Sequence, residues 1–144
     1  MYKIQNKTFT KIPSEEEEQK ALIIYLKRNN YFFFANVNEN KQSFTNKPLA
    51  TKIEAKSKSM GKVKGVSDLC VFLENTIVFI ELKKQRPVLK SGKLGKPTND
   101  ATAEQMEFIS KVNGFKYAYG FVAFGCDESI KLLNSFLNSA NFKI

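Results

Sequence analysis

In the run Ile77-Val-Phe-Ile-Glu-Leu-Lys83, one acid and one base interrupt an otherwise apolar segment. Side chains alternate along an extended chain, so Glu81 and Lys83 leave from one face with Ile77 and Phe79, while Val78, Ile80 and Leu82 leave from the other. Upstream, Gly65-Val-Ser-Asp68 leads into a second apolar run ending at Leu73, and Glu74-Asn-Thr76 reads as a tight turn between the two. A turn centred between Glu74 and Asn75 pairs Leu73 with Thr76. The same register, carried back along both strands, sets Asp68 opposite Glu81. Cross-strand partners project to one face with Cβ atoms roughly 4.5 to 5.5 Å apart. Two carboxylates and an ammonium group therefore converge on one spot.

Facing carboxylates repel and lose hydration, so such a pair at the end of an apolar hairpin requires a cation. Lys83 supplies one positive charge, and a divalent metal would supply the rest. Oxygen-only donors select hard ions such as Mg²⁺ or Mn²⁺. A site of this composition suits phosphodiester hydrolysis: the ion polarises phosphate and acidifies a water, while a lysine orients that water and steadies developing charge. The chain has no histidine, which excludes His-dependent triads, His-Cys zinc sites and a histidine general base. Cys70 and Cys126 lie in apolar, strand-like runs and read as small buried hydrophobes, not as ligands or a disulfide. A Glu-x-Lys pair alone is more often a surface ion pair, and an Asp at a strand start more often caps a turn. Here the strand is otherwise apolar, Asp68 faces Glu81, and a basic loop follows; together these favour a site.

The elements that must position these residues follow from pattern. Residues 14–27 predict a helix with Ser14 as N-cap and Glu15, Glu18, Leu22, Tyr25 and Leu26 on one face. Its four consecutive glutamates suit the positive end of the helix dipole. Residues 31–37 form an aromatic-rich strand, and 38–64, with seven lysines, read as an exposed, mobile or hairpin-forming excursion. The strands at 65–73 and 77–83 are apolar on both faces, as in a sheet covered on each side. Residues 84–101 read as a loop, and a structureless segment of that length is usually functional or disordered. A helix over 102–112, a strand over 115–124 and a closing helix over 127–137 complete the chain. The closing helix has Asp127 as cap and turns Ile130, Leu133 and Phe136 or Leu137 inward. The expected fold class is α/β of the α+β kind: a mixed central sheet of about four strands flanked by helices, in the order αβββαβ plus a closing helix. The length of 144 residues suits a single domain, 1–144 with its core at 14–137.

At Gly65-Val-Ser-Asp68 followed by Ile80-Glu-Leu-Lys83, the sequence resembles the PD-(D/E)xK nuclease superfamily, and more closely its VRR-NUC branch. That pattern runs through a helix with Glu and Gln, a Gly-x-Pro-Asp segment, a strand ending Glu-Leu-Lys and a later helix with Gln. Ser14-Glu15-Glu-Glu-Glu18-Gln19 and Thr102-Ala-Glu-Gln105 supply the first and last parts here. Ser67 stands where the family usually has proline. The resemblance implies a restriction-endonuclease-like core in which Asp68, Glu81 and the backbone carbonyl of Leu82 ligate metal, and Lys83 serves the attacking water. It also implies that a first-helix glutamate, Glu15 or Glu18, completes or flanks the metal site, with Glu18 placed first for its nearness to the core. Gln105 matches the family's glutamine beside the active site, yet Thr102-x-x-Gln105 is equally a capping box.

The net charge of +9 predicts attraction to polyanions. Lys62, Lys64, Lys84, Arg86, Lys90, Lys93 and Lys96, on the two basic excursions that flank the motif, are the candidate phosphate contacts. No apolar run is long enough to cross a bilayer and the N-terminus lacks a signal-peptide core, so the expected compartment is the cytoplasm. Stand-alone members of the VRR-NUC branch resemble junction-resolving nucleases that act as dimers on branched DNA. The resemblance thus implies DNA as partner, with a branched substrate and a homodimer as one expectation and a subunit of a larger assembly as another. A module that binds nucleic acid without turnover is the competing class, and it gives no reason to keep two facing carboxylates that repel its ligand.

Overall fold

Ser14 opens the first helix by a reciprocal pair of hydrogen bonds. Its hydroxyl accepts from the Glu17 backbone N–H at 3.2 Å, and the Glu17 carboxylate accepts from the Ser14 N–H at 2.8 Å. This capping box satisfies two of the backbone donors that every helix start leaves open. The computed structural model describes residues 11–36 and 47–138. The elements are α1 (Glu15–Arg28), β1 (Phe32–Ala35), α2 (Lys47–Ser59), β2 (Leu69–Phe72), β3 (Ile77–Lys83), α3 (Ala103–Asn113), β4 (Ala118–Phe124) and α4 (Cys126–Asn138). Among the described residues, no helix is long and apolar enough to cross a membrane.

The sheet runs β1-β2-β3-β4, with antiparallel pairing except between β3 and β4, which are parallel and joined through α3. The α+β class and the mixed four-stranded sheet are those expected. The β2–β3 ladder pairs Leu69 with Ile80 and Phe72 with Ile77, the register read from the turn. Asp68 lies one step before β2, and its carbonyl accepts from the Asn36 N–H at 2.8 Å.

One face of the sheet is covered by α1 and α4. Leu22, Leu26, Leu69, Val71, Val78, Ile80, Ala123 and Leu133 pack there as a core, where each large aliphatic side chain contributes about 1.5–3 kcal/mol by leaving water. The other face is covered at β3 and β4 by α3, with Phe79 against Phe108 edge to face at 5.4 Å. A Cβ at Gly120 would touch Ile109 at 3.4 Å, so glycine lets the helix lie close to the sheet. Asn113 locks the far end of α3 by exchanging hydrogen bonds with both backbone groups of Gly120. Glu81 and Lys83 emerge on the α3 face at the C-terminal end of β3.

Three expectations change. The excursion at 38–64 contains a helix, α2, in place of a mobile loop or hairpin, while 37–46 lie outside the described residues. Pro48 falls in its first turn, where a missing N–H costs nothing. Gly61, at φ 95°, closes its end as Gly61 N–H bonds Lys58 O and Lys62 N–H bonds Ser57 O, both at 3.0 Å. The segment 84–101 is not structureless either. Val88 bridges Leu94, and a tight turn joins them. Finally, α4 starts at Cys126, one residue before the expected cap Asp127, and of the two alternatives Phe136 turns inward. Its ring stacks on Phe121 at 5.7 Å, whereas Leu137 is exposed.

Candidate active site

Glu81 is 2% exposed and Lys83 8%, so the end of β3 holds a buried acid and a buried base on one face. The Lys83 ammonium lies 3.4 Å from Glu81 Oε1. Asp68 reaches across the strand gap, where its Oδ2 accepts from the Leu82 N–H at 2.8 Å. A residue in an extended strand sends its N–H and C=O toward the same edge. The Leu82 carbonyl therefore leaves beside Asp68, while the Lys83 carbonyl is taken on the other edge by the Gly125 N–H at 2.9 Å.

Burial pushes the Glu81 carboxyl up to about 7; the Asp68 charge adds to the rise and Lys83 opposes it. Asp68 is raised as well, chiefly by burial, against the pull of the Leu82 N–H and of Lys83. The charge of Glu15 adds to the rise, and a hydrogen bond between the Asp68 and Glu81 carboxyls opposes it. Glu81 Oε2 is buried and has no hydrogen-bond partner. A buried carboxylate oxygen without a donor is costly unless something positive meets it.

Gln105 makes the capping box and also reaches Glu81. Its Oε1 accepts from the Thr102 N–H at 2.8 Å and the Thr102 hydroxyl accepts from the Gln105 N–H at 3.2 Å, which is the capping box of α3. Because Oε1 is engaged there, the Nε2 amide is left to donate, and it does so to Glu81 Oε1 at 2.7 Å. Oε1 of Glu81 thus serves Gln105 and Lys83, which leaves Oε2 open. Gly65 sets the approach of α3 to this spot. At φ 77°, it lies so close to the helix that a Cβ would fall 2.3 Å from the Glu104 carbonyl oxygen and 2.6 Å from the Gln105 nitrogen. Only glycine permits both that torsion and that distance.

The two first-helix candidates separate in space. Glu15 receives a hydrogen bond from the Asn99 side chain. Glu18, 6% exposed, accepts from the Cys126 N–H at 2.5 Å, so its carboxylate caps α4. Among the described residues, no group of three or more His, Cys, Asp or Glu side chains is spaced to hold a metal. Asp68 and Glu81 are thus two carboxylates with the Leu82 carbonyl beside them. Both cysteines are free, with thiols pushed up to about 11 by burial, so neither is a ready thiolate ligand.

The candidate phosphate contacts are spread around this centre. Lys90, Lys93 and Lys96 are exposed, Lys84 is half-buried, and the Arg86 guanidinium lies 4.6 Å over the Phe124 ring. Lys62 pairs with Glu54 at 3.5 Å, and Lys64 lines a shallow cleft against α3 with Glu104, Glu107 and Phe108. Sequence reasoning missed Thr102 as a positioning group, the seating role of Gly65 and the contact of Asn99. The first two carried a signal, in the Thr-x-x-Gln box and the Gly-x-x-Asp spacing. Asn99 carried none.

The donor set fits a hard divalent ion: carboxylate and carbonyl oxygens, one of them buried and unpartnered, with a lysine alongside. No family model matches the chain, and neither does any curated protein. Among solved structures, one described as a "VRR_NUC domain protein" superimposes with a TM-score of 0.58 at 23% sequence identity, over 90% of this chain and 92% of that one. The chain thus has the fold of a VRR_NUC domain protein, the fold to which its Gly65–Asp68 and Glu81–Lys83 motifs pointed.

Proposed function

We propose that this chain is a nuclease of the VRR-NUC branch, a single domain over 1–144 that hydrolyses DNA phosphodiester bonds with Mg²⁺ or Mn²⁺ and prefers branched substrates. The observation that carries this reading is the buried, unpartnered Oε2 of Glu81 beside Asp68. That arrangement is unfavourable in the chain alone and favourable around a cation. Asp68, Glu81 and the Leu82 carbonyl would hold the ion, and Glu15 would flank them. When bound, the ion supplies Lewis acidity toward a phosphate oxygen and a water.

The chain's own groups do the rest. Lys83 is anchored by Glu81 at 3.4 Å, which keeps its ammonium group at the centre to hold the attacking water and steady charge on phosphate. Gln105 holds Oε1 of Glu81 by its Nε2 amide, which leaves Oε2 as the oxygen for the ion. Lysines 62, 64, 84, 90, 93 and 96 with Arg86 hold the phosphate backbone, which gives affinity without reading sequence.

The test is incubation of the purified protein with linear, single-stranded, flap and four-way-junction DNAs in Mg²⁺, Mn²⁺ or EDTA, beside Lys83→Ala. Metal-dependent products that vanish in the variant, greatest on a branched DNA, are expected. Binding across the panel with no product in either metal would overturn the nuclease reading in favour of a silent binding module.

A further inference from the structure

The segment that follows the catalytic strand is built as a projecting hairpin. Pro87 O accepts from the Gly95 N–H at 2.7 Å, Val88 bridges Leu94, and the Leu89 N–H bonds Lys93 O at 2.8 Å. The turn closes as the Gly92 N–H bonds Leu89 O at 2.8 Å, with Gly92 at φ 81°. This is the turn-plus-glycine geometry of a short hairpin loop. A Cβ on Gly92 would meet nothing within 4 Å, so the tip stands in open space. Its base is held: Arg86 packs over Phe124 at 4.6 Å, and Lys83 is tied to Gly125.

The tip shows both apolar and cationic side chains to water. Val88 is 60% exposed, Leu89 51% and Leu94 63%, and the exposed Lys90, Lys93 and Lys96 stand among them. An element that merely gripped phosphate would need only the lysines. Apolar side chains interleaved with cations match a ligand that is anionic along its backbone and apolar on its base faces. Leu89 lies six residues beyond Lys83, which limits its reach from that lysine to about 22 Å. The hairpin therefore works within a few nucleotides of the scissile phosphate.

We propose that this hairpin is a wedge: Leu89 and Leu94, with Val88, enter DNA at a step where pairing ends, while Lys90, Lys93 and Lys96 hold the flanking phosphates. Inserting aliphatic side chains between bases requires unstacking, which is cheapest where the partner strand is already absent. The wedge thus selects forks, flaps and junctions over uninterrupted duplex, and it rests on the nuclease reading for its biological purpose.

The test places 2-aminopurine at the branch point of a forked DNA, with a fully paired duplex as control, in EDTA so that no cleavage intervenes. Full-length protein is expected to raise the fluorescence of the fork severalfold and to leave the duplex unchanged. Leu89→Ser with Leu94→Ser is expected to return the fork signal to within about a third of its free value while duplex affinity changes less than twofold. Lys90→Ala with Lys93→Ala provides a second variant that leaves the apolar tip intact; at saturating protein the rise is retained, although affinity falls. No rise with the wild-type protein, or an equal rise with the double-serine variant, overturns the wedge. A double-serine variant that sediments at a lower mass than the wild type overturns it too, because the tip would then be an interface between copies. A fork-specific rise in a protein that never cleaves the panel sustains the wedge and rejects only the nuclease.

Discussion

Two glutamates are buried almost equally in this molecule, and they are used in opposite ways. Glu18, on α1, accepts with its Oε2 from the first backbone N–H of α4, so its charge meets a helix N-terminus and stabilises the fold. Glu81, on β3, has one oxygen shared by Gln105 and Lys83, while the other is buried with no N–H to meet it and the Asp68 carboxyl lies beside it. Burial alone therefore does not separate the two; the capacity left unmet at Glu81 does, and on the proposed reading a cation meets it.

The strongest break in this comparison is chemical. Asp68→Ala, Glu81→Ala and Lys83→Ala are each expected to lower cleavage by at least about a thousandfold, on the order of 4 kcal/mol in the barrier. Circular dichroism and DNA affinity should stay near wild type. Any of the three that retains cleavage removes that residue from the site.

Glu18→Ala should behave in reverse. Loss of the charged contact at α4 is expected to cost about 2 kcal/mol of stability by urea unfolding, with activity per folded molecule unchanged at low temperature. A stable Glu18→Ala protein without cleavage would make Glu18 a ligand and would erase the distinction between the two carboxylates.

A third effect is of similar size and opposite sign. With its carboxyl pushed from 4.5 up to about 7, folded Glu81 holds its proton more tightly than the unfolded chain does. Stability from this group is therefore complete below about pH 4.5 and falls as pH rises toward 7. Asp68 is raised in the same direction and adds to the trend. Glu81→Gln is expected to stabilise the metal-free protein at pH 8 by on the order of 2 kcal/mol, an advantage that disappears near pH 4.5. Mg²⁺ should raise the melting temperature of the wild type but not of this variant. Equal pH profiles for the two proteins would show that the Glu81 charge is already compensated within the chain.

How much of this was legible beforehand depends on the range of each interaction. Asp68, Glu81 and Lys83 could be placed from two-residue alternation and one local turn, because the β2–β3 register is set within 16 residues of chain between Asp68 and Lys83. The role of Glu18 was hidden because its partner, Cys126, is 108 residues away. Helix α2 was hidden for another reason. It has no buried residue, and among the described residues it packs against no other helix or strand, so no apolar stripe announced it. The hairpin at Val88–Leu94 was masked by a composition of Lys, Gly and Pro that reads as loop.

The smallest effect sharpens the comparison most finely, since it concerns orientation alone. Thr102 touches neither Asp68 nor Lys83 in the hydrogen bonds of the site, yet its N–H holds Gln105 Oε1 and so dictates that Nε2 faces Glu81. Thr102→Ala removes the hydroxyl half of the capping box and is expected to cost about 1 kcal/mol of stability. It also loosens the first turn of α3, and cleavage should fall by about tenfold or less through kcat, with DNA affinity unchanged. Thr102→Ser keeps the hydroxyl acceptor and should restore both. If Thr102→Ala lost stability but kept full kcat, the orientation of Glu81 would be set by Lys83 alone, and the capping box would belong with Glu18 among the groups that only hold the fold together.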